Sequence, residues 1–160
     1  MNNLRIGQGI DFHQLEPGPE LWLGGIPVPS ERASVAHSDG DVLLHAICDA
    51  LLGAAGLGDI GHHFPDSDPE FRKIDSKILL NKTFNLLSKK GYSVVNLDCT
   101  VCLEKPRIAG YIPEMKNVIS AILETHPENI SIKATTTEKL GFIGRDEGIA
   151  AMAVVLLERR

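Results

Sequence analysis

Apolar and polar residues along the 160-residue chain follow patterns that predict four strands, one hairpin and three helices. Residues 4–12 alternate around Ile6, Ile10 and Phe12, which is typical of a strand. Two short apolar runs flank a Gly-Gly pair within residues 21–28 and indicate a hairpin. Three more strands are predicted over residues 92–103, 130–136 and 148–158.

The helices are predicted from apolar residues that recur three and four positions apart. Asp39 or Asp41 caps the first helix, which ends near Gly56. The other two helices cover residues 74–90 and 112–125. The order strand, hairpin, helix, helix, strand, helix, strand, strand predicts an α/β fold. We expect an α+β sandwich in which helices cover one face of a mixed β-sheet, in a single domain of residues 1–160.

The strand at residues 92–103 has one apolar face and one mixed face. Alternation places Val95, Leu97, Cys99, Val101 and Leu103 on the first, and Val94, Asn96, Asp98, Thr100 and Cys102 on the second. A face that is half polar does not suit the core of one domain. It indicates either association, with polar groups paired across a subunit boundary, or exposure to solvent.

Composition narrows the function classes. With 43% apolar and 23% charged residues, the chain is not disordered, collagen-like or a coiled coil. The net charge of −5 argues against a general nucleic-acid binder but allows a local basic pocket. No apolar run is long enough for a membrane span, and the start resembles neither a signal nor a transit peptide. Three cysteines, an odd number, favour a reducing, cytoplasmic location, although a mature plastid protein would look the same.

One carboxylate and two imidazoles are candidates for a metal site. Asp11 and His13 are two residues apart in the first strand, so both side chains project from one face. His45 and Asp49 are four apart on the first helix, where the carboxylate can accept a hydrogen bond from one ring nitrogen and orient the other. One Asp and two His ligands suit zinc with an open fourth position. The alternatives are an ordinary hydrogen-bonded pair and a core histidine.

Residues 133–148 combine hydroxyl donors with positive charge. Threonines 135–137 leave a predicted strand, and Lys139 and Arg145 add cationic groups that bind phosphate oxygens. Glu138 among these donors fits a divalent cation that bridges phosphates. The alternative is a polar strand end with a solvated Glu-Lys pair. Residues 103–109 form a second basic turn that can border a nucleotide.

Five motifs run along the chain: Asp11-x-His13, His37-Ser-Asp-Gly-Asp-x-x-x-His45, Gly58-Asp-Ile-Gly, Phe64-Pro-Asp-x-Asp68 and Ala134-Thr-Thr-Thr-Glu-Lys-Leu-Gly-Phe. Through them the chain resembles, essentially end to end, the 2-C-methyl-D-erythritol 2,4-cyclodiphosphate synthase family, the ring-closing enzymes of non-mevalonate isoprenoid (terpenoid) biosynthesis. The resemblance implies a homotrimer whose three sheets face inward, with active sites between neighbouring subunits. This arrangement fits the mixed strand face.

The resemblance implies two metal sites. Asp11, His13 and His45 match zinc ligands, and such a ligand set also accepts manganese or cobalt. Asp49 matches a residue that supports these ligands without binding the ion. Glu138 matches a ligand of a second ion, magnesium or manganese, between the α and β phosphates. We predict that His37 and Thr136 stabilise the transition state.

The resemblance also implies substrate contacts. The methylerythritol and its phosphate are matched by Asp11, Phe12, His13, His37, Ser38, Asp59, Ile60, Gly61, Phe64, Pro65, Asp66, Ser67 and Asp68. The cytidine and diphosphate are matched by Leu103, Glu104, Lys105, Pro106, Arg107, Ile108, Ala109, Thr135, Thr136, Thr137 and Glu138, and further contacts by Phe142 and Arg145. Two departures are local: the usual Ala-Gln-Ala-Pro-Lys-Met turn reads Leu103-Glu-Lys-Pro-Arg-Ile, and Asp146 replaces a frequent glycine.

The implied reaction is intramolecular. The 2-phosphate of 4-diphosphocytidyl-2-C-methyl-D-erythritol 2-phosphate attacks the β phosphorus and releases CMP, so the enzyme would be a phosphorus–oxygen lyase. One alternative is a zinc-dependent phosphohydrolase that activates water, with Asp66 as the candidate base. The other is a non-catalytic trimeric module that binds a nucleotide or an isoprenoid. We expect no nucleic-acid or membrane partner.

Overall fold

The computed structural model describes residues 3–65 and 67–160, so the predicted contact Asp66 lies outside the described residues. The strands are β1 (Leu4–Pro17), β2 (Glu20–Leu23), β3 (Ile26–Pro29), β4 (Arg32–Val35), β5 (Tyr92–Cys102), β6 (Ile130–Thr135) and β7 (Gly148–Arg159). The helices are α1 (Val42–Ala54), α2 (Ile60–His63), α3 (Ser76–Lys89), α4 (Ile112–Ile122) and α5 (Gly141–Gly144). Three-residue 3₁₀ turns cover Pro69–Phe71, Ala109–Tyr111 and Pro127–Asn129.

Five strands form one mixed sheet in the order β4-β1-β7-β5-β6. Only the β5–β6 pair is parallel within the described sheet, and α4 connects its two strands. The strands β2 and β3 form a separate hairpin. The predicted α/β class, with helices over one face of a mixed sheet, is confirmed. The sequence patterns did not reveal β4, α2 or α5, which are four residues long each.

Helix α1 packs directly on the central strands because β1 carries glycine where a side chain would intervene. A Cβ atom built on Gly7 would overlap the carbonyl oxygen of Ala50, and one on Gly9 would overlap that of Ala46. The buried side of β7 supplies small and branched residues to the same layer, including Ala151, Ala153 and Val155. No helix in the described ranges is both long and apolar enough to cross a membrane.

The start of α1 is held by the buried carboxylate of Asp41, which is the N-cap residue. One of its oxygens accepts from the backbone N–H of Leu44 at 3.0 Å and of Gly24 at 3.0 Å, and the other from Gly25 at 2.7 Å. Burial raises the pKa of Asp41, while the three N–H donors act in the opposite direction. The carboxylate therefore joins the β2–β3 turn to the helix that carries His45.

The other face of the sheet is open. Ile6 is 74% exposed and Phe12 is 53% exposed, and Ile10, Met152 and Val154 lie exposed on the same strands. The predicted apolar face of β5 is correct for Leu97, Cys99 and Val101 but wrong for residues 94 and 95, because Val94 is the more buried of the two. A β-bulge between Val94 and Asn96 inserts one residue and reverses the alternation before that point.

Candidate functional site

Asp11 and His13 from β1 meet His45 from α1 at the helix-covered face of the sheet. The Oδ2 atom of Asp11 lies 3.1 Å from His45 Nδ1 and 3.6 Å from His13 Nε2. All three potential ligand atoms lie within 4.8 Å of one another, and each residue is half-buried. Strand alternation and the close packing of α1 on the β1 glycines thus bring together the three predicted ligands.

The His13 ring is oriented for metal binding. Its Nδ1 donates to the carbonyl oxygen of Phe12 at 2.7 Å, which leaves the lone pair on Nε2. Nε2 is buried and has no hydrogen-bond partner among the described residues. An unpartnered buried acceptor next to a carboxylate and a second imidazole fits a divalent ion.

The His45 ring contacts Asp11 on one side and two hydroxyls on the other. Its Nε2 lies 2.9 Å from Ser76 Oγ and 3.2 Å from Ser38 Oγ. Burial alone lowers the pKa of His45, but the hydrogen bond and charge of Asp11, together with the charges of Asp41 and Asp39, outweigh burial and raise the pKa. The predicted hydrogen bond from His45 to Asp49 is not formed in the described part of the chain, which corrects that prediction.

Asp49 instead joins two helices. Its Oδ1 accepts from the backbone N–H of Ile60 at 2.8 Å, at the start of α2. Burial raises its pKa, partly offset by that N–H donor. A spacing of four residues permits a contact with His45, but a backbone N–H group that is free at the start of α2 competes for the carboxylate. Asp49 therefore supports the loop beside the three candidate ligands and does not contact His45 by a hydrogen bond.

A cavity of about 300 Å³ opens onto the three candidate ligands. It is lined by Asp11, His13, Val35, Ala36, His37, Ser38, His45, Ile60, Gly61, Phe64, Phe71, Ile74 and Leu79. Eight of these were predicted as ligands or methylerythritol contacts, and they converge here from β1, α1, α2 and the loops next to the two helices. We call this the metal pocket.

A second cavity of about 200 Å³ lies at the end of β5 and β6, and we call it the nucleotide pocket. It is lined by Leu103, Glu104, Pro106, Arg107, Ile108, Ala109, Ala134, Thr135 and Thr136. All but Ala134 were predicted as cytidine or diphosphate contacts. Among the described residues, the two linings have no member in common.

Glu104 organises the turn that follows β6. Its Oε1 accepts from the backbone N–H of Thr137 at 3.1 Å and of Lys139 at 3.4 Å. Glu138 and Lys139 adopt the left-handed region, with φ values of 52° and 65°. Thr136 Oγ1 lies 3.4 Å from Glu138 Oε1. Thr136 and Glu138, predicted to bind the diphosphate and the second ion, are therefore neighbours on an exposed turn. Glu104 stabilises this turn by accepting hydrogen bonds from its backbone.

Phe142 and Arg145 line neither the metal pocket nor the nucleotide pocket. The Phe142 ring packs on Phe12 with centroids 6.2 Å apart. The Arg145 guanidinium forms two parallel hydrogen bonds with Glu147, at 2.9 and 3.0 Å, which raise the pKa of Arg145 and lower that of Glu147. Within this chain, the cation is thus paired with a carboxylate.

Asp146, which stands where the family frequently has glycine, forms an ion pair with Arg32. Its φ of 60° lies in the region that favours glycine, which Asp tolerates better than most residues. Asp146 Oδ2 accepts from Arg32 Nε at 3.1 Å, and both residues line a cavity of about 420 Å³ together with the predicted contact Lys105.

The remaining predicted contacts lie in the loop after α1. Asp59 caps α2 by accepting from the N–H of His62 at 2.9 Å, and Asp68 caps the next 3₁₀ turn. Pro65 and Ser67 are exposed. None of these four residues is among those that line the metal pocket.

The sequence profile of the YgbB family matches residues 4–158. The chain belongs to the YgbB family. A curated relative from Bacteroides fragilis, named 2-C-methyl-D-erythritol 2,4-cyclodiphosphate synthase, is 55% identical over 156 residues, which are 98% of each chain. The resemblance identified from the motifs is therefore confirmed.

Solved structures agree with this YgbB-family fold. The bifunctional IspDF from Campylobacter jejuni has a TM-score of 0.94 and 39% identity, covering 98% of this chain and 42% of that longer one. The Plasmodium falciparum IspF CDP complex has a TM-score of 0.87 and 36% identity, covering 100% of this chain and 99% of the other. The fold is thus shared across the whole length of the YgbB-family chain.

Sequence reasoning missed several residues of the site. Phe71, Ile74 and Leu79 form the apolar wall of the metal pocket, and Ser76 contacts His45. These four residues come from the start of α3 and the segment before it, which no metal-ligand spacing connects to His45. The only available signal was Asp39 in the His37–Asp41 motif, which reaches Ser76.

Proposed function

We propose that this YgbB-family chain converts 4-diphosphocytidyl-2-C-methyl-D-erythritol 2-phosphate into 2-C-methyl-D-erythritol 2,4-cyclodiphosphate and CMP, in non-mevalonate isoprenoid biosynthesis. The decisive observation is the convergence of Asp11, His13 and His45 on one pocket. Relatives at about 55% identity over nearly the whole chain carry the name of this activity.

Asp11, His13 and His45 would hold a zinc ion, or manganese or cobalt, through Oδ2, Nε2 and Nδ1. Glu138 would hold a magnesium or manganese ion on the diphosphate. Such ions supply Lewis-acid stabilisation of the charge that develops on phosphate oxygens. The support from this chain is the unpartnered Nε2 of His13, which none of the described protein groups satisfies.

The residues of the chain act mainly by positioning. An oxygen of the 2-phosphate attacks the β phosphorus, and the bond from that phosphorus to the oxygen bridging to the α phosphorus breaks as CMP leaves. Binding both ends of one molecule holds attacking and leaving groups close together, which lowers the entropic part of the barrier. His37, exposed at the rim of the metal pocket, would donate a hydrogen bond to the phosphate.

Thr136 and Glu138 would bind the diphosphate from the other side. The Thr136 hydroxyl lies where β6 ends, and the turn held by Glu104 presents it next to the Glu138 carboxylate. A hydroxyl donor that contacts the developing charge stabilises the transition state more than the ground state. Because the attacking oxygen belongs to the substrate's own phosphate and CMP is eliminated as the ring closes, the enzyme would be a phosphorus–oxygen lyase.

We propose a homotrimer in which the metal pocket of one subunit meets the nucleotide pocket of its neighbour. The two pockets of a single chain have separate linings, which fits a substrate whose two ends are held by neighbouring subunits. Exposed Ile6, Ile10 and Phe12 supply the apolar surface that such an association would bury. The free thiols of Cys48, Cys99 and Cys102 suit a reducing compartment, which we take to be the cytoplasm.

The test is CMP release from the diphosphocytidyl substrate, with phosphorus NMR on the second product. We expect a cyclic diphosphate in equal amount to CMP, lost on chelation and restored by added zinc and magnesium. A linear product containing oxygen from labelled water would identify a phosphohydrolase instead. No turnover by metal-loaded protein that still binds CMP would favour the non-catalytic module.

Replacing Glu104 with alanine should raise the KM for the substrate about tenfold with a smaller change in kcat. The reason is that the turn at residues 137–139 loses the acceptor of two backbone N–H groups, worth roughly 1.4 kcal/mol in diphosphate binding. Steady-state kinetics measure the split. The matched control is Glu104→Gln, whose amide oxygen can accept the same bonds. An alanine variant with an unchanged KM would show that the turn needs no such support.

A further inference from the structure

Two residues outside the predicted site lie directly behind His45, on the side of the ring away from Asp11. Ser76, the first residue of α3, is fully buried, and its Oγ is 2.9 Å from His45 Nε2. The Ser76 hydroxyl also contacts Asp39 Oδ1. Asp39 Oδ2 accepts from the backbone N–H of Ser76 at 2.9 Å. A continuous chain of contacts therefore runs from a carboxylate through a hydroxyl to the imidazole.

The protons in this chain have one consistent arrangement. The Asp39 carboxylate accepts from three groups, because its Oδ1 also lies 3.1 Å from the N–H of Asp41. The single hydroxyl proton of Ser76 is therefore donated to Asp39. The Ser76 oxygen is left as an acceptor, which favours a proton on Nε2 of His45 that is donated to it at 2.9 Å. Nδ1, which donates to Asp11 Oδ2 at 3.1 Å in the metal-free chain, is then the ring nitrogen whose proton an ion would replace.

We propose that Ser76 and Asp39 are positioning residues that select the His45 tautomer required for metal binding. This inference rests on the proposed metal site. It explains which residues hold the His45 ring in the orientation that metal binding needs. Outer hydrogen bonds of this kind hold a ligating histidine in one orientation and tautomer. Because Ser76 begins α3 and Asp39 precedes α1, the contact also fixes the position of α1 relative to α3.

The first test is the zinc affinity of Ser76→Ala, measured by competition with a chelating indicator. We expect binding about 10–100 times weaker than in the wild type, the usual effect of losing such a partner. Alanine is a good residue at the first position of a helix, so the variant should fold. The matched control is Ser120→Ala: Ser120 is also buried on a helix, but its hydroxyl donates only to the Asn117 carbonyl at 3.1 Å. Its zinc affinity should not change.

A second variant compares how much the Ser38 and Ser76 hydroxyls each contribute to zinc binding. Ser38 Oγ is farther from His45 Nε2, at 3.2 Å, and is not part of the contact with Asp39 that orients the Ser76 hydroxyl. Ser38→Ala should therefore weaken zinc binding less than Ser76→Ala. An equal or larger effect of Ser38→Ala would overturn the assignment to Ser76.

Nitrogen-15 NMR of the histidine rings in the zinc-loaded wild type provides a readout that needs no variant. We expect His45 with its proton on Nε2 and the metal on Nδ1. Zinc on Nε2 would overturn the proposal, as would an unchanged zinc affinity in Ser76→Ala. A wild-type chain that binds no zinc would instead overturn the proposed metal site, so the two failures are distinguishable.

Discussion

Replacing His45 with alanine should abolish zinc binding and reduce the rate of cyclodiphosphate formation by about a thousandfold or more. The variant removes one of three converging ligand atoms, and Asp11 and His13 alone do not form a tight zinc site. Losing roughly 4 kcal/mol of charge stabilisation at the reacting phosphates corresponds to that factor. Turnover with phosphorus NMR and metal content by elemental analysis provide the measurements.

The same variant should still bind CMP. The nucleotide pocket is built from residues 103–109 and 134–136 and shares no described residue with the metal pocket. Calorimetry with CMP should give an affinity within about threefold of the wild type. The control is His126→Ala, whose side chain is 70% exposed and which should leave both turnover and zinc binding unchanged. Full turnover by His45→Ala would exclude a catalytic role for this site.

Replacing Gly9 with alanine should destabilise the fold by about 3 kcal/mol or more and also weaken zinc binding. The new Cβ would overlap the backbone carbonyl oxygen of Ala46, and backbone atoms cannot rotate away as a side chain would. Helix α1 must therefore move away from β1, and His45 moves with it. Thermal unfolding of the metal-free chain should show a melting temperature lower by about 10 °C.

Gly110→Ala is the matched control, since a Cβ on Gly110 meets nothing within 4 Å. We expect its melting temperature to remain within about 2 °C of the wild type. If Gly9→Ala melted like Gly110→Ala, the direct packing of α1 on β1 would not be what positions His45.

The sequence predicted the three candidate metal ligands, which the structure brings together, because part of their relation is local. Asp11 and His13 share a face of β1 by strand alternation, and both belong to a short motif. His45 was added from the donor chemistry and from the family resemblance. The predicted partner of His45 was wrong for a tertiary reason: the start of α3 places Ser76 next to the ring, and α2 takes the carboxylate of Asp49.

The faces of the strands were harder to predict. The alternating residues Ile6, Ile10 and Phe12 mark β1 as a strand, yet their side chains point away from the helices. The glycines between them face α1 instead, because only they allow the helix backbone to approach. In β5, the bulge after Val94 shifted the alternation by one residue, which no pattern of apolar residues signals in advance.

By itself, the sequence determined the order of the main strands and helices, the α/β class and the chemical character of the site. These depend on periodicity, on capping residues and on side-chain types, all of which act over a few residues. Only the tertiary structure decided which sheet face is open, that two separate pockets exist, and that Ser76 and Asp39 orient His45. These features depend on contacts between residues more than 30 positions apart, such as His45 and Ser76, which are set by how α1 and α3 pack on the sheet.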